Sequence, residues 1–477
     1  MTLPDATRFY INGEWVAPNK ARLSPVINPA TEASLGDVAL GNESDVDIAV
    51  AAAKAAFTAF SKTSKQQRLQ WLRNINDGLV ARQEDMAQAI SVEMGAPITV
   101  AREAQAPSGP QHFEATIKVL ESYEFNQNLG ETQLRKEPVG VCALITPWNW
   151  PINQIAIKVA PAIAAGCTMV LKPSELSPLS ASLLAEIIHE SGLPDGVFNL
   201  VHGDGQGVGA PLIAHKDIDM VSFTGSTRAG VAISQAAAPD IKRVSLELGG
   251  KSAAIVMPDT DITKAIPTII KGVMYNSGQS CNARTRVLVP SSLYDAAVNI
   301  AMQTCEDLTV GAPESEDVYL GPLANKAQYE RVLKMIKIGI DEGAKLLCGG
   351  EEKPSGLKSG YYVKPTLFGN VTNDMRIARE EVFGPVVTLM KYESAQEAIE
   401  IANDSEYGLS GAVWSANHGS ACDVASQLRT GMVHINGAGL DSAAPFGGYK
   451  KSGNGREWGE YGLEEFLEVK SVYGANI

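Results

Sequence analysis

The chain has 477 residues, 45% of them apolar and 20% charged. That is too long for one hydrophobic core and fits two or three packed units of an ordinary globular protein. A formal net charge of −14 argues against nucleic acid and anionic membranes as partners and keeps the surface solvated.

The opening residues, Met1-Thr2-Leu3-Pro4-Asp5, lack the basic-then-apolar order of a signal peptide. The most apolar long run, 155–171, is broken by Lys158, Pro161 and Gly166 and is short for a membrane span. The expectation is a cytoplasmic protein. Its cysteines (Cys142, Cys167, Cys281, Cys305, Cys348 and Cys422) are scattered, with no C-x-x-C pair, so reduced thiols and no metal site are expected.

In chain order, residues 9–15 read as a short strand and turn. Residues 44–60 read as an alanine-rich helix capped by Ser44 or Asp45. Helical periodicity over 64–94 stops at Gly95-Ala96-Pro97. From residue 138 the texture changes to strands at 139–146, 167–171, 196–201 and 220–224, with a helix-like stretch after the first and a helix at 178–191. A second series follows Gly250, with strands at 253–256, 286–289, 386–392, 411–413 and 431–435 and helices at 292–307 and 325–342. Strands alternating with helices indicate parallel sheets. The fold class is therefore α/β, with two doubly wound units and a crevice between them, a favoured place for an active site.

Six stretches carry candidate chemistry. Gly278-Gln279-Ser280-Cys281 sets a lone cysteine before a strand, which fits a nucleophilic thiolate or a packed thiol. Glu247-Leu248-Gly249-Gly250-Lys251 ends a strand in a carboxylate, which fits a general base or an ion pair with Lys251. In Thr146-Pro147-Trp148-Asn149-Trp150-Pro151, the Asn149 amide can face a developing oxyanion, or the loop can simply be rigid. Leu171-Lys172-Pro173-Ser174-Glu175 fits a ribose site or a helix start capped by Ser174. Phe223 to Gly230 runs a strand through Gly225 and Ser226 into a helix, a place for phosphate; it is not the usual G-x-G-x-x-G fingerprint. Glu380-Glu381-Val382-Phe383-Gly384-Pro385 fits a second ribose and its ring, or an acidic turn.

Together, in this order and spacing, these stretches resemble the aldehyde dehydrogenase superfamily. The resemblance runs from F-Y-I-N-G-E-W near the start to P-F-G-G-Y-K-K-S-G-N-G-R-E near the end. It implies Cys281 as nucleophile, Glu247 as the base for the deacylating water, and Asn149 with the Cys281 amide as the oxyanion site. It implies Trp148, Lys172, Glu175, Gly225, Ser226, Glu381 and Phe383 as cofactor-binding residues, and a proton relay at Lys158 and Glu457. The cofactor implied is NAD, with NADP also possible, and the substrate is a small-molecule aldehyde oxidised to its acid. Trp150, Gln154, Ile157, Leu440 and Phe446 would surround the substrate tunnel. The stretch 436–446 has no Lys or Arg, which disfavours a carboxylate tail unless a distant residue such as Arg102 supplies the charge.

The resemblance further implies three parts. These are a Rossmann-like cofactor domain (1–119 and 139–249), a catalytic domain (250–445) and a small bridging strand element (120–138 and 446–477). The tail 464–472 reads as a strand open to pairing, so a homodimer or homotetramer is expected. Other readings of the thiol are a CoA-acylating relative, which Glu247 disfavours, a cysteine hydrolase, for which no motif histidine is at hand, and a non-catalytic protein on the same fold.

Overall fold

The computed structural model describes residues 3–20 and 22–475. Two seven-stranded sheets dominate it. In the first, the strands lie in the order Arg243–Glu247, Met220–Thr224, Val141–Ile145, Thr168–Lys172, Phe198–Leu200, Phe9–Ile11, Glu14–Val16. The first five run parallel, and the hairpin Phe9–Val16 closes the edge antiparallel. Four of the five, Val141–Ile145, Thr168–Lys172, Phe198–Leu200 and Met220–Thr224, are buried along their whole length, as parallel strands covered by helices on both faces must be. Chain order reverses between Val141–Ile145 and Met220–Thr224. Such a switch point leaves a crevice at the carboxyl ends of the strands.

The second sheet has the order Lys345–Cys348, Thr366–Gly369, Val386–Tyr392, Arg286–Pro290, Ala253–Val256, Ser410–Trp414, Met432–Ile435. All pairs but the first are parallel. A third, three-stranded antiparallel sheet joins Asn126–Leu129 and Thr132–Pro138 to Leu467–Val472.

The apolar run that looked too broken for a membrane span is the central helix Pro151–Ala165 followed by the strand Thr168–Lys172. Pro151 opens the helix, where a missing N–H costs nothing. Gly166 ends it in left-handed backbone at φ 93°. The Arg68 guanidinium closes that end, donating to the carbonyls of Ala164 at 3.3 Å and Ala165 at 2.8 Å. Among the described residues no helix is long and apolar enough to cross a membrane.

Several sequence expectations needed correction. The helix expected from 44 starts at Glu43, and Asn42 caps it. Asn42 accepts from the Ser44 amide while Asp45 reaches back to the Asn42 amide, forming a capping box. The stretch 64–94 is two helices, Lys65–Ala81 and Gln83–Met94, because Arg82 leaves helical geometry. Ser174 does not start a helix. The helix begins at Pro178, and the buried Glu93 carboxylate takes its first amides, Leu179 at 2.6 Å and Ser180 at 3.1 Å. The tail strand starts at Leu467, since Gly459–Glu464 is helical. The hairpin Arg22–Leu40 and the strands Lys345–Cys348 and Thr366–Gly369 were not read from the sequence.

Candidate active site

The carboxyl ends of the first sheet and the loops before two strands of the second line one cavity of about 490 Å³. From the first sheet come Trp148 and Asn149, then Thr224 to Arg228, then Glu247 to Gly249. From the second come Cys281, ahead of Arg286–Pro290, and Glu381 and Phe383, ahead of Val386–Tyr392.

The loop that carries Cys281 is tightly constrained. Asn276, Ser277 and Gly278 pass through left-handed backbone at φ 54°, 54° and 72°. Such backbone costs non-glycine residues roughly 1–3 kcal/mol each. A Cβ on Gly278 would lie 2.1 Å from the Gly384 carbonyl oxygen, so the position tolerates only glycine. The Asn276 Nδ2 donates to the carbonyls of Asn149 at 3.0 Å and Gln279 at 3.3 Å, and its Oδ1 accepts from Gln105 at 2.9 Å. The Asn149 Nδ2 donates to the Gln279 carbonyl at 3.0 Å, and the Trp150 indole donates to the Ser280 hydroxyl at 2.9 Å. The P-W-N-W-P and G-Q-S-C stretches, far apart in sequence, are thus stitched side by side. Gly250 completes the fit, since a Cβ there would lie 2.6 Å from the Cys281 carbonyl oxygen. Burial pushes the Cys281 thiol above its ordinary value, and the charges of Glu381, Glu247 and Glu457 add to the effect.

Glu247 is 2% exposed, and neither carboxylate oxygen has a hydrogen-bond partner. No ion pair with Lys251 forms. Lys251 is buried beside Arg286 and Glu381 instead, and its amine is lowered to about 7, first by burial and then by the Arg286 charge. Burial raises the Glu247 carboxyl well above the carboxylate range, and the Glu457 charge raises it further; Lys158 opposes both. Behind Glu247, Lys158 and Glu457 form a buried ion pair. The P-F-G-G-Y-K-K-S-G-N-G stretch holds Glu247 from the other side. Gly453 bridges it antiparallel, Asn454 Oδ1 accepts from the Leu246 amide at 3.1 Å, and a Cβ on Gly447 would sit 2.7 Å from the Glu247 Oε1.

The remaining groups form a cradle that fits a dinucleotide. Ser226 caps the helix Thr227–Ala237 by accepting from the Ala229 amide at 3.3 Å. The amides of Thr227 and Arg228, which a helix cannot satisfy itself, remain for an anion. The Thr224 hydroxyl is buried and unpartnered beside them. A Cβ on Gly249 would lie 2.3 Å from the Glu381 Oε2, so a larger residue there would displace the Glu381 carboxylate. Glu381 accepts from the Gly250 amide at 2.9 Å, and burial raises its carboxyl to about 7. Phe383, at φ 60°, meets Trp148 edge-on at 5.5 Å between ring centroids. Lys172 and Glu175 lie at the neighbouring strand end, outside this cavity's wall, with Nζ 3.5 Å from the Glu175 Oε2.

Three further residues in the wall lie outside the stretches read from the sequence: Gln328, Arg331 and Tyr407. Gln328 donates to the carbonyls of Val382 at 3.0 Å and Phe383 at 2.7 Å, and Arg331 to that of Glu381 at 2.8 Å. They stand three residues apart on one helix face, the only signal available in the sequence. Of the residues expected around the tunnel, Gln154 lines the cavity and Leu440 is 49% exposed. Phe446 packs on Trp458 at 5.0 Å, Trp150 faces Tyr275 at 6.3 Å, and Ile157 is buried in its helix. Arg102 is taken up by Glu84 and Glu316.

A doubly wound sheet with a cradle for a dinucleotide, facing a cysteine and an unpaired buried glutamate across one cavity, is an arrangement suited to a dinucleotide-dependent oxidoreductase. Comparison with known proteins agrees: residues 15–472 match the model of the aldehyde dehydrogenase family. A 3-succinoylsemialdehyde-pyridine dehydrogenase from a Pseudomonas species is 56% identical over 471 residues, covering 98% of this chain and 99% of its own. The crystal structure of a cysteine-to-alanine mutant of aldehyde dehydrogenase C from Pseudomonas syringae, in complex with NAD+ and octanal, is 51% identical. Its TM-score is 0.98, with 98% of this chain and 97% of that one covered. The NAD+ complex of an aldehyde dehydrogenase from Bacillus cereus is 40% identical, with a TM-score of 0.95 and coverage of 98% and 96%. The chain belongs to the aldehyde dehydrogenase family. It is an enzyme that oxidises an aldehyde to a carboxylic acid with reduction of NAD.

Proposed function

We propose that Cys281 is the nucleophile, that Asn149 and the Cys281 amide hold the oxyanion, and that Glu247 activates the deacylating water. The observation that carries this reading is Glu247 itself. A carboxylate with both oxygens unpartnered is kept buried in the same cavity as a half-buried thiol. Such a group is costly unless it has chemistry to do.

In the proposed cycle Cys281 adds to the aldehyde carbon as its thiolate, the form that the later hydrolysis returns, and the carbonyl oxygen becomes an oxyanion. The Asn149 amide turns from the Gln279 carbonyl to that oxygen. One such donor is worth roughly 3–4 kcal/mol in the transition state. NAD, when bound, supplies the hydride acceptor. Departure of hydride from the carbon leaves a thioester on Cys281. Glu247 takes a proton from water, the resulting hydroxide attacks the thioester, and the acid leaves with Cys281 restored. The Lys158–Glu457 pair lies where it can pass that proton onward. Water as the acyl acceptor is favoured over a thiol co-substrate, because a base poised for water is otherwise unexplained.

Lys172 and Glu175 are assigned to the adenosine ribose, Gly225 and Ser226 to the pyrophosphate, and Trp148, Glu381 and Phe383 to the nicotinamide side. NAD is the preferred cofactor. The chain divides into a cofactor domain (1–119 and 139–249), a catalytic domain (250–445) and a bridging element (120–138 and 446–477). The strand Leu467–Val472 is the edge of its sheet, and exposed Val469 and Tyr473 lie along it. An edge of this kind favours a homodimer or homotetramer. Free cysteines throughout support a cytoplasmic location. An aldehyde without a carboxylate tail is favoured, since Arg102 is spent on Glu84 and Glu316 and the stretch 436–446 has no Lys or Arg.

Turnover of a simple aldehyde with NAD tests the assignment. Cys281→Ala is expected to abolish it while NAD binding persists, and Cys305→Ala to leave it intact. Dehydrogenase activity surviving in Cys281→Ala would overturn the reading.

A further inference from the structure

A second, much smaller cavity of about 10 Å³ shares Tyr407 with the wall of the active-site cavity. At that size it holds one particle about as large as a water molecule. Its wall includes Lys251, Ser252, Arg286 and Ser410, and no Asp or Glu. Lys251 is 2% exposed and Arg286 1%, and among the described residues neither forms an ion pair. The Arg286 guanidinium donates to neutral acceptors alone: the carbonyls of Lys251 at 2.9 Å, Ile401 at 2.9 Å and Ala402 at 2.8 Å, and the Asn373 Oδ1 at 3.1 Å. Asp404, whose charge reaches Arg286, is itself held by Arg379 at 2.6 Å, and Lys450 brings a further positive charge toward Arg286. The Ser410 hydroxyl is fully buried and has no hydrogen-bond partner. Beside it the Ser252 Oγ accepts from the Ser410 amide at 3.2 Å, which leaves the Ser252 hydroxyl proton to donate.

Two buried cations around one small space, with no counter-charge in its wall, are costly. The Lys251 amine shows the strain of this arrangement: burial lowers it first and the Arg286 charge next, to about 7, with Glu381 and Glu380 opposing only in part. Water would satisfy the hydroxyls and leave both charges unopposed. A metal ion would meet two like charges. Phosphate, sulfate and carboxylates are too large for the space. The chemistry that remains is a monatomic, monovalent anion, which accepts from an ammonium and from hydroxyls at once.

We propose that this cavity is a halide site, filled by chloride, in which the Lys251 ammonium and the Ser410 and Ser252 hydroxyls donate to the ion and the Arg286 charge holds it. It is separate from the reacting centre and does not depend on the assignment of Cys281. An ion held there keeps the proton on Lys251, and the Lys251 charge in turn favours the ionised form of Glu381 across the loop 249–251.

The test uses bromide as a visible stand-in for chloride. Crystals of the whole enzyme grown without halide are soaked in potassium bromide and measured at the bromine absorption edge. An anomalous peak is expected in the cavity, in contact with the Ser410 hydroxyl and the Lys251 amine, and its loss is expected in Lys251→Met. In solution the thermal midpoint is followed as chloride replaces gluconate at fixed ionic strength. An ion that binds only the native state stabilises it by mass action, so the wild-type midpoint should rise and level off. Lys251→Met should abolish the rise. Ser410→Ala should raise the half-saturating chloride concentration by about tenfold or more, since a charge-assisted hydrogen bond is lost. Bromide at surface positions only, or a midpoint that follows chloride equally in the wild type and Lys251→Met, would overturn the proposal. If Lys251→Met does not fold, the wild-type map and Ser410→Ala decide it, and a cavity without bromide or an unmoved half-saturation point overturns it.

Discussion

Replacing Glu247 by glutamine separates the two halves of the proposed cycle. Glutamine keeps the size of the side chain but cannot take a proton from water. The carboxylate makes no hydrogen bond, so the substitution breaks none. The half that precedes the thioester should therefore run nearly unchanged. Loss of a general base typically costs roughly 10²–10⁴-fold, and here the whole loss falls on hydrolysis. Rapid mixing with NAD and excess aldehyde should give a burst of NADH near one equivalent per active site, followed by slow turnover. Steady-state turnover equal to the wild type would refute the role; a lost burst would move Glu247 to an earlier step. Stability gives an independent reading. The folded-state carboxyl is raised by burial and by Glu457, so between its unfolded and folded values the unfolded chain has released a proton that the native state keeps. Stability therefore falls as pH rises from about 4.3 through the native value, by about 1.4 kcal/mol for each tenfold difference in proton affinity. The glutamine variant lacks this loss. Its Tm advantage over the wild type should grow with pH, and an advantage that is constant or shrinks contradicts the buried, unpaired state of Glu247.

Two further predictions concern the cofactor. Glu175, with Lys172 at 3.5 Å, is expected to repel the extra phosphate of NADP. Two like charges about 4 Å apart cost roughly 1 kcal/mol in water and about 4 kcal/mol at a surface-like dielectric. Glu175 is partly exposed and Lys172 offsets it, so NAD should be preferred by roughly tenfold to a few hundredfold in kcat/KM; Glu175→Gln should narrow the gap mainly by improving NADP, and an unmoved ratio refutes the assignment. Glu381 is raised to about 7 by burial, and only its ionised form is a full acceptor for ribose hydroxyls. NAD should bind more tightly as pH rises through about 7, and Glu381→Gln should flatten that dependence; calorimetric titration on either side of neutrality decides it.

The sequence made the parallel strands legible because full burial on two faces leaves short apolar runs, as in Met220–Thr224 and Val386–Tyr392. It hid Arg22–Ile27, whose mostly exposed side chains leave no apolar period, and Thr366–Gly369, too short and uniformly buried to differ from a piece of helix. Cap identities failed where the cap came from elsewhere. Nothing near residue 178 announces that Glu93, far back in the chain, takes the first amides of that helix. The candidate site was legible where motif residues themselves line the cavity. Gln328 and Arg331 were not, because they act by holding the backbone of 381–383 in place, and an ordinary helix surface supplies both.

The cavity's acids also have to be considered as a set. Cys281 is raised by Glu381, Glu247 and Glu457, and Glu247 is raised in turn by Glu457. Each proton held by a carboxyl removes a negative charge that opposes the thiolate. A proton on Glu247 or Glu381 therefore makes Cys281 easier to ionise, while in the proposed cycle the later hydrolysis needs Glu247 without its proton. The two halves of the cycle ask for opposite states of one group. In that cycle the buried pair Lys158–Glu457 would mediate between them, since Lys158 lowers the Glu247 proton affinity that Glu457 raises. A pH–rate profile then reports values that belong to the cluster. Neutralising Glu457 should shift the apparent acid limbs of both thioester formation and hydrolysis, although Glu457 itself lies outside the cavity wall.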